Sequence, residues 1–336
     1  MKQHLTSALV VVTTILVTLT LVSGPANARH SAPRPVMEQP IADPSVVPYA
    51  TGFLAISSGA RAPGAVANSA SGRWRSTGPL LHGLPGWVGR GSIWAADTAH
   101  IDHHWVMYYS ARVRHLAHNA RCIGVAVSSD PRKGFDASGR KPLVCPRKAH
   151  AKHADDQLRS RGRSLPHAGV IDPSYFRRGR QSYLLYRTQR TPATIRIVRL
   201  RHHGVRAAHH SRQVLRTRDI TENPVVIRHG RRYVLFTSQG YYGNCGYRTT
   251  WRSSRSLFHF PARGHRLLAG RQSRVCGPGG LDVTGRLVFF HGWVCRGEHR
   301  CRGGAHLEKR RGAHRTMYVG RLRWRHGRPH VRVLRG

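Results

Sequence analysis

The chain has 336 residues, 40% of them hydrophobic, which is ample material for a large packed core and excludes a disordered chain. Its 56 Lys and Arg face only 14 Asp and Glu, a formal net charge of +42. Arginine is spread along the whole length without aromatic interleaving, which argues against a specific nucleic-acid binder. Most of this charge reads as a compositional preference for arginine, with weak, non-specific adhesion to polyanions as a by-product.

In chain order, Lys2 precedes the apolar run from Ala8 to Val22, which Ser23-Gly24-Pro25 breaks before the small-x-small triplet Ala26-Asn27-Ala28. That is the layout of a signal peptide over residues 1–28, leaving a secreted, extracellular domain over 29–336. The run is shorter than the roughly 20 residues of a membrane span and no second run follows, so no membrane span is expected. The mature protein is expected to be a monomer.

Beyond residue 29 no long amphipathic helical period occurs. Short β-branched and aromatic runs recur instead between Gly, Pro and basic turns, which is an all-β pattern. Several of these runs repeat one arrangement, an acid leading to a short apolar run, a turn, and a second apolar and aromatic run. Asp43-Pro-Ser-Val-Val precedes Phe53-Leu-Ala-Ile56, and Asp97-Thr-Ala-His-Ile precedes Trp105-Val-Met-Tyr108. Asp172-Pro-Ser-Tyr-Phe precedes Tyr183-Leu-Leu-Tyr186, and Glu222-Asn-Pro-Val-Val precedes Tyr233-Val-Leu-Phe236. A degenerate fifth copy runs from Asp282 to Leu287-Val-Phe-Phe290. Further strand-like runs follow at Cys122 to Val127, Thr194 to Leu200, Gly246 to Trp251 and Thr316 to Leu322.

Such a repeat predicts a five-bladed β-propeller, because a four-stranded blade buries both faces only by stacking between neighbours around an axis. A β-sandwich, the competing architecture, predicts no acid-led repeat. In a propeller the first strand of each blade lines the channel, so an acid at the same point of several first strands predicts a ring of carboxylates at one mouth. Asp-Pro and Asn-Pro also mark turns, a sufficient explanation for any one of these positions alone.

Six cysteines in an exported chain imply disulfides, and although many connectivities are open, pairing of neighbours closes local loops: Cys122 with Cys145, Cys245 with Cys276, Cys295 with Cys301. No Cys-x-x-Cys spacing supports zinc, and His100-Ile-Asp-His103-His104 reads as a turn. No metal and no cofactor is expected, and neither a nucleophile elbow nor a phosphate loop is present. The basic stretch from Pro146 to Pro166 reads as a loop inserted between repeats.

At the acid-led segments the chain resembles glycoside hydrolase family 43, the arabinanases, arabinofuranosidases and β-xylosidases with a five-bladed propeller. Ala42-Asp43-Pro44-Ser45-Val46 resembles the opening motif whose aspartate is the general base, and Ile93-Trp94-Ala95-Ala96-Asp97 a segment whose tryptophan lies near substrate. Val170-Ile171-Asp172-Pro173-Ser174 resembles the motif of the aspartate that orients the acid and raises its pKa, and Thr221-Glu222-Asn223-Pro224 that of the general acid. Phe290-His291-Gly292-Trp293 and Leu322-Arg323-Trp324 resemble its fifth-blade signatures. Asn223 and Ala96 depart from the family's glycine and proline. Gly280 stands where the family often has a histidine that can hold a metal ion, so no calcium ion is expected.

The resemblance implies an inverting glycosidase with catalytic residues Asp43, Asp172 and Glu222. Glu222 would protonate the leaving oxygen, Asp172 would raise its pKa by like-charge repulsion, and Asp43 would activate water on the opposite face. Trp94, Asp97 and Tyr241 are the expected substrate contacts, Tyr242 being the alternative to Tyr241. The expected partner is a plant-type polysaccharide or oligosaccharide, such as arabinan or arabinoxylan, carrying arabinofuranosyl or xylosyl linkages. The alternatives are a non-catalytic carbohydrate-binding propeller and a surface protein that adheres to polyanions.

Overall fold

A computed structural model describes residues 32–114, 119–145, 169–189 and 191–334, without the side chains of residues 209 and 210. The expected signal segment and the basic stretch from Pro146 to Pro166 lie outside the described residues. Nearly all regular structure is strand, in five four-stranded antiparallel meanders. The first blade holds β1 (Ala42–Tyr49), β2 (Gly52–Ser58), β3 (Pro63–Ala67) and β4 (Arg75–Pro79), and the second β5 (Trp94–Ile101), β6 (His104–Arg112), β7 (Arg121–Ser128) and β8 (Asp136–Ala137). The third holds β9 (Val170–Arg178), β10 (Gln181–Thr188), β11 (Ala193–Arg201) and β12 (Arg206–Thr217). The fourth holds β13 (Thr221–His229), β14 (Arg232–Gln239), β15 (Arg248–Ser254) and β16 (His265–Leu268). The fifth holds β17 (Cys276–Thr284), β18 (Leu287–Val294), β19 (His314–Arg325) and β20 (Arg328–Val333). This is the all-β, five-bladed propeller that the repeat predicts.

The apolar run in each second strand has a plain cause. Successive side chains of a strand point to opposite faces, and in a propeller each face meets a different neighbouring blade. Thus Leu184 and Tyr186 of β10 pack on the second blade, while Tyr183 and Leu185 pack on the fourth. Likewise Tyr233 and Leu235 of β14 face the third blade, and Val234 and Phe236 the fifth. The ring closes where Phe289, Met317 and Val319 of the fifth blade meet Val46, Ala55 and Trp74 of the first. A segment ahead of β1 straps this seam. Val36 N donates to Met317 O (2.9 Å), Ile41 N to Arg315 O (2.9 Å), and Thr316 Oγ1 to Gln39 O (2.9 Å).

Each first strand carries a bulge near its start, and the bulges fix the register of the site. Ala42 pairs with Ser58 and Ser45 with Ile56; Trp94 pairs with Ser110 and Asp97 with Tyr108. The same offset separates Ile171 from Ser174, Glu222 from Val225, and Gly279 from Asp282. One residue in each bulge turns left-handed: Asp43 (φ 51°), Ala95 (40°), Asp172 (55°), Asn223 (48°) and Gly280 (56°). Asp, Asn and Gly tolerate this region best, and Ala95 holds it without a polar side chain.

The bulges correct one expectation. The five acids do not share one point of the repeat. Asp43 and Asp172 sit at the left-handed position, Glu222 one residue before it, and Asp97 and Asp282 two residues after it. Instead of one ring the carboxylates form two tiers.

Candidate active site

The upper tier opens into a pocket of about 490 Å³ lined by Asp43, Asp172 and Glu222, with Trp94, Arg187 and Arg315 among its other walls. Three first strands, β1, β9 and β13, deliver the three carboxylates. Their placement rests on a recurring bond, in which the main-chain N–H of each left-handed residue is capped from the blade before it. Ala95 N donates to Ser58 Oγ (2.8 Å), Asp172 N to Ser110 Oγ (3.1 Å), Gly280 N to Ser238 Oγ (2.8 Å) and Asp43 N to His291 Nδ1 (3.1 Å). Asn223 N is the exception and donates to Asp172 Oδ2 (3.0 Å).

The three carboxyls have different surroundings. Burial pushes Asp43 toward its neutral form, but Arg315 first and then the Ser58 hydroxyl oppose it, and the carboxyl is held well below the usual range. Arg315 Nη1 lies 3.1 Å from Oδ1, and Ser58 donates to Oδ2 at 2.7 Å. Asp172 is driven the other way, by burial first and then by the charge of Glu222, against the opposing pull of Arg187 and the Asn223 N–H. Arg187 Nη1 donates to Glu222 Oε2, and the Tyr247 hydroxyl, with one proton to give, lies 2.8 Å from Glu222 Oε1 and 2.9 Å from Asn223 Oδ1. Burial and the Glu222 charge keep Tyr247 protonated, so it remains a donor.

Trp94 lies on the pocket wall, and the Arg121 guanidinium covers one of its faces at 3.4 Å from the ring centroid. Tyr241 and Tyr242 both line the pocket. The Tyr241 hydroxyl donates to Glu308 Oε1 (2.6 Å), which fixes the ring, and the Tyr242 carbonyl accepts from Trp293 Nε1 (2.7 Å). The three cysteine pairs are those expected: Cys122–Cys145, Cys245–Cys276 and Cys295–Cys301, with Cα separations of 4.8, 4.3 and 4.9 Å. The last two brace the rim, because Cys276, Trp293, Cys295, Cys301 and Leu307 form one apolar cluster against Tyr242.

Asp97 does not line this pocket, contrary to the expected substrate contact. It lies two residues past the left-handed position, in the narrow channel beneath, with Asp282. There it accepts from Ser45 Oγ (3.0 Å) and Tyr175 N (2.6 Å), tying the second blade to the first and third. Asp282 Oδ2 accepts from Val46 N (2.6 Å) across the closing seam. Arg187, Tyr247, Ser58 and Arg315 escaped sequence reasoning. The only signal for Arg187 was a charge directly after the buried run Tyr183-Leu-Leu-Tyr186.

A metal ion does not fit these residues. Among the described residues no group of three or more His, Cys, Asp or Glu side chains is placed to hold one. Among the described residues His291 Nε2 is buried without a hydrogen-bond partner, and no second or third ligand side chain stands beside it. A side chain at Gly280 would force His291 and the Asp43 backbone to shift, since its Cβ would meet His291 Nδ1 at 2.6 Å and Asp43 Cα at 3.0 Å.

The sequence pattern described as Glycosyl hydrolases family 43 matches residues 32–327. No curated protein sequence matches the chain. Among solved structures, a thermostable family-43 glycoside hydrolase superposes with a TM-score of 0.69 at 18% identity, covering 90% of this chain and 96% of that one. An α-L-arabinanase of Cellvibrio cellulosa complexed with arabinohexaose gives 0.65 at 16% identity, with 88% and 96% covered. An endo-1,4-β-xylanase of Bacteroides thetaiotaomicron gives 0.63 at 17%, with 87% and 94% covered. These likenesses concern the fold, and the family follows from the pattern that spans it: the chain belongs to glycosyl hydrolase family 43 and is a glycosidase.

Proposed function

We propose that the protein is a secreted, monomeric, inverting hydrolase of arabinofuranosyl or xylosyl linkages in arabinan or arabinoxylan. The observation that carries this reading is one pocket in which three carboxyls have opposed surroundings, one kept ionised and one pushed toward neutrality. Asp43, held as a carboxylate by Arg315 and Ser58, is the base that takes a proton from water as its oxygen adds to the anomeric carbon. Glu222 is the acid that gives its proton to the departing oxygen, and Asp172, pushed toward its neutral form by burial and by the Glu222 charge, is the second carboxyl of the pair that shares this proton. Trp94 and Tyr241 offer apolar faces to the sugar. An arabinan-type substrate is supported by solved arabinanases with this fold, including an exo-1,5-α-L-arabinanase from a bovine ruminal metagenomic library and the Cellvibrio cellulosa arabinanase complexed with arabinohexaose. Disulfides fit an oxidising, extracellular compartment.

The test is product analysis on arabinan, arabinoxylan and xylan, with the protein beside its Glu222→Ala variant. Sugar release that vanishes in the variant is the expected result and names the linkage; NMR of the first product anomer reads inversion directly. A folded protein that releases nothing from all three sinks this reading and leaves a carbohydrate-binding propeller.

A further inference from the structure

Arg187 breaks the fivefold pattern of the site. Register places it level with Ser58, Ser110, Ser238 and His291, the second-strand residues that pair opposite Ala42, Trp94, Glu222 and Gly279. In the other four blades this residue is an acceptor that caps the N–H of the next bulge. A guanidinium has no acceptor, so Arg187 cannot cap Asn223. Asp172 takes over that bond and Arg187 turns to Glu222 instead.

The exchange is costly for a fold. Arg187 is nearly buried, and its Nε has no hydrogen-bond partner among the described residues. A serine serves this place in three other blades, so packing alone does not call for an arginine. Burying a guanidinium is tolerable where it meets a carboxylate, and the carboxylate it meets is the acid of the proposed reaction.

We propose that Arg187 is the positioning residue that sets the upper pH limit of catalysis, by its ion pair with Glu222 Oε2, which leaves the proton of the Asp172–Glu222 pair on Asp172. This deepens the hydrolase reading and rests on it for the name "acid". Every charged or titratable neighbour of the pair enters the balance. Arg187 from β10 and Arg121 from β7 favour loss of the proton, whereas Asp43 from β1 favours keeping it. Tyr247 and Tyr242 face Glu222 as neutral groups. Among the described residues, Arg187 is the one cation that forms an ion pair with a member of the Asp172–Glu222 pair. A proton moved from Asp172 to Glu222 before bond cleavage leaves the count unchanged, and the next proton is drawn from solvent.

The experiment compares wild type with Arg187→Ser, which restores the residue of three other blades, Arg187→Lys, which keeps the charge, and Arg187→Met, which keeps the bulk. On arabinan, the basic limb of the kcat profile should rise by about one pH unit or more in Arg187→Ser and Arg187→Met, and stay near wild type in Arg187→Lys. Carboxyl ¹³C NMR of the ligand-free protein, tractable with 14 acidic residues, should show the pair releasing its proton at correspondingly higher pH in the uncharged variants. Proton release at the wild-type pH in both uncharged variants overturns the proposal, as does an unmoved limb with a raised KM, which would make Arg187 a substrate contact. The NMR reading needs no turnover, so a protein inactive on all three glycans would sink the hydrolase reading while leaving the proton assignment separately decided.

Discussion

The two tiers of carboxylates are made of the same groups at similar depth, yet they hold different positions in the chemistry. In the upper tier Asp43 faces Arg315 and Glu222 faces Arg187, with a pocket above them. In the lower tier Asp97 and Asp282 bond to main-chain N–H groups and a serine hydroxyl across blade seams. Both lower carboxyls are pushed up by burial, and Asp97 further by the charge of Asp282. A side chain two residues along a strand thus passes from an open pocket to a joint between blades. Burial does not tell the tiers apart; the neighbouring cations and the space above do.

The strongest way to break this comparison is to remove a carboxylate from each tier. Glu222→Gln and Asp43→Asn should lower kcat on the released-sugar assay by about 10²–10⁴-fold, a loss far beyond any that the unpairing of Arg187 or Arg315 causes through stability. Asp97→Asn should do the reverse, retaining most activity but costing about 1–3 kcal/mol in urea unfolding, because an amide cannot accept both of its bonds. Equal loss of activity in both tiers would erase the distinction.

A subtler difference lies in pH. For Asp97 and Asp282 the folded pKa stands above the ordinary 3.8, so the folded chain holds protons that the unfolded chain releases. Their contribution to stability is full below that value and is lost as pH rises toward neutrality. The urea midpoint should therefore fall between pH 4 and 7, and fall less in Asp282→Asn, which cannot titrate. Asp43 works in the opposite sense, its contribution being lost only in strong acid. Smallest of all, Ser45→Ala should cost about 0.5–1.5 kcal/mol by removing one donor from Asp97, with no change in kcat.

The tiers also mark what could be read in the residues alone. The blades were legible because a second strand squeezed between two neighbours must be apolar on both faces, as in Tyr183 to Tyr186 and Tyr233 to Phe236. The cysteine pairs were legible because each closes a short stretch of chain. The acids were legible as a set but not as two levels, since a bulge adds a residue without leaving any mark in composition. Asp97 and Asp172 both lead an apolar run, and only the pairing of Trp94 with Ser110 and of Ile171 with Arg187 separates them. Arg187 was hidden for a simpler reason, as one cation among 56.

The capped bulges have a consequence for how such a protein can change. Each blade supplies the left-handed turn that presents a carboxylate, but the acceptor that holds the turn comes from the blade before it. A unit copied or exchanged at its sheet boundaries would bring a turn without its cap and leave a cap without its turn. The heritable module of the site is therefore the seam between two blades: the second strand of one with the first strand of the next at four seams, and two first strands where Asp172 caps Asn223. Recombination that respects seams would preserve Asp43 and Asp172 in place, whereas recombination that respects sheets would scatter them.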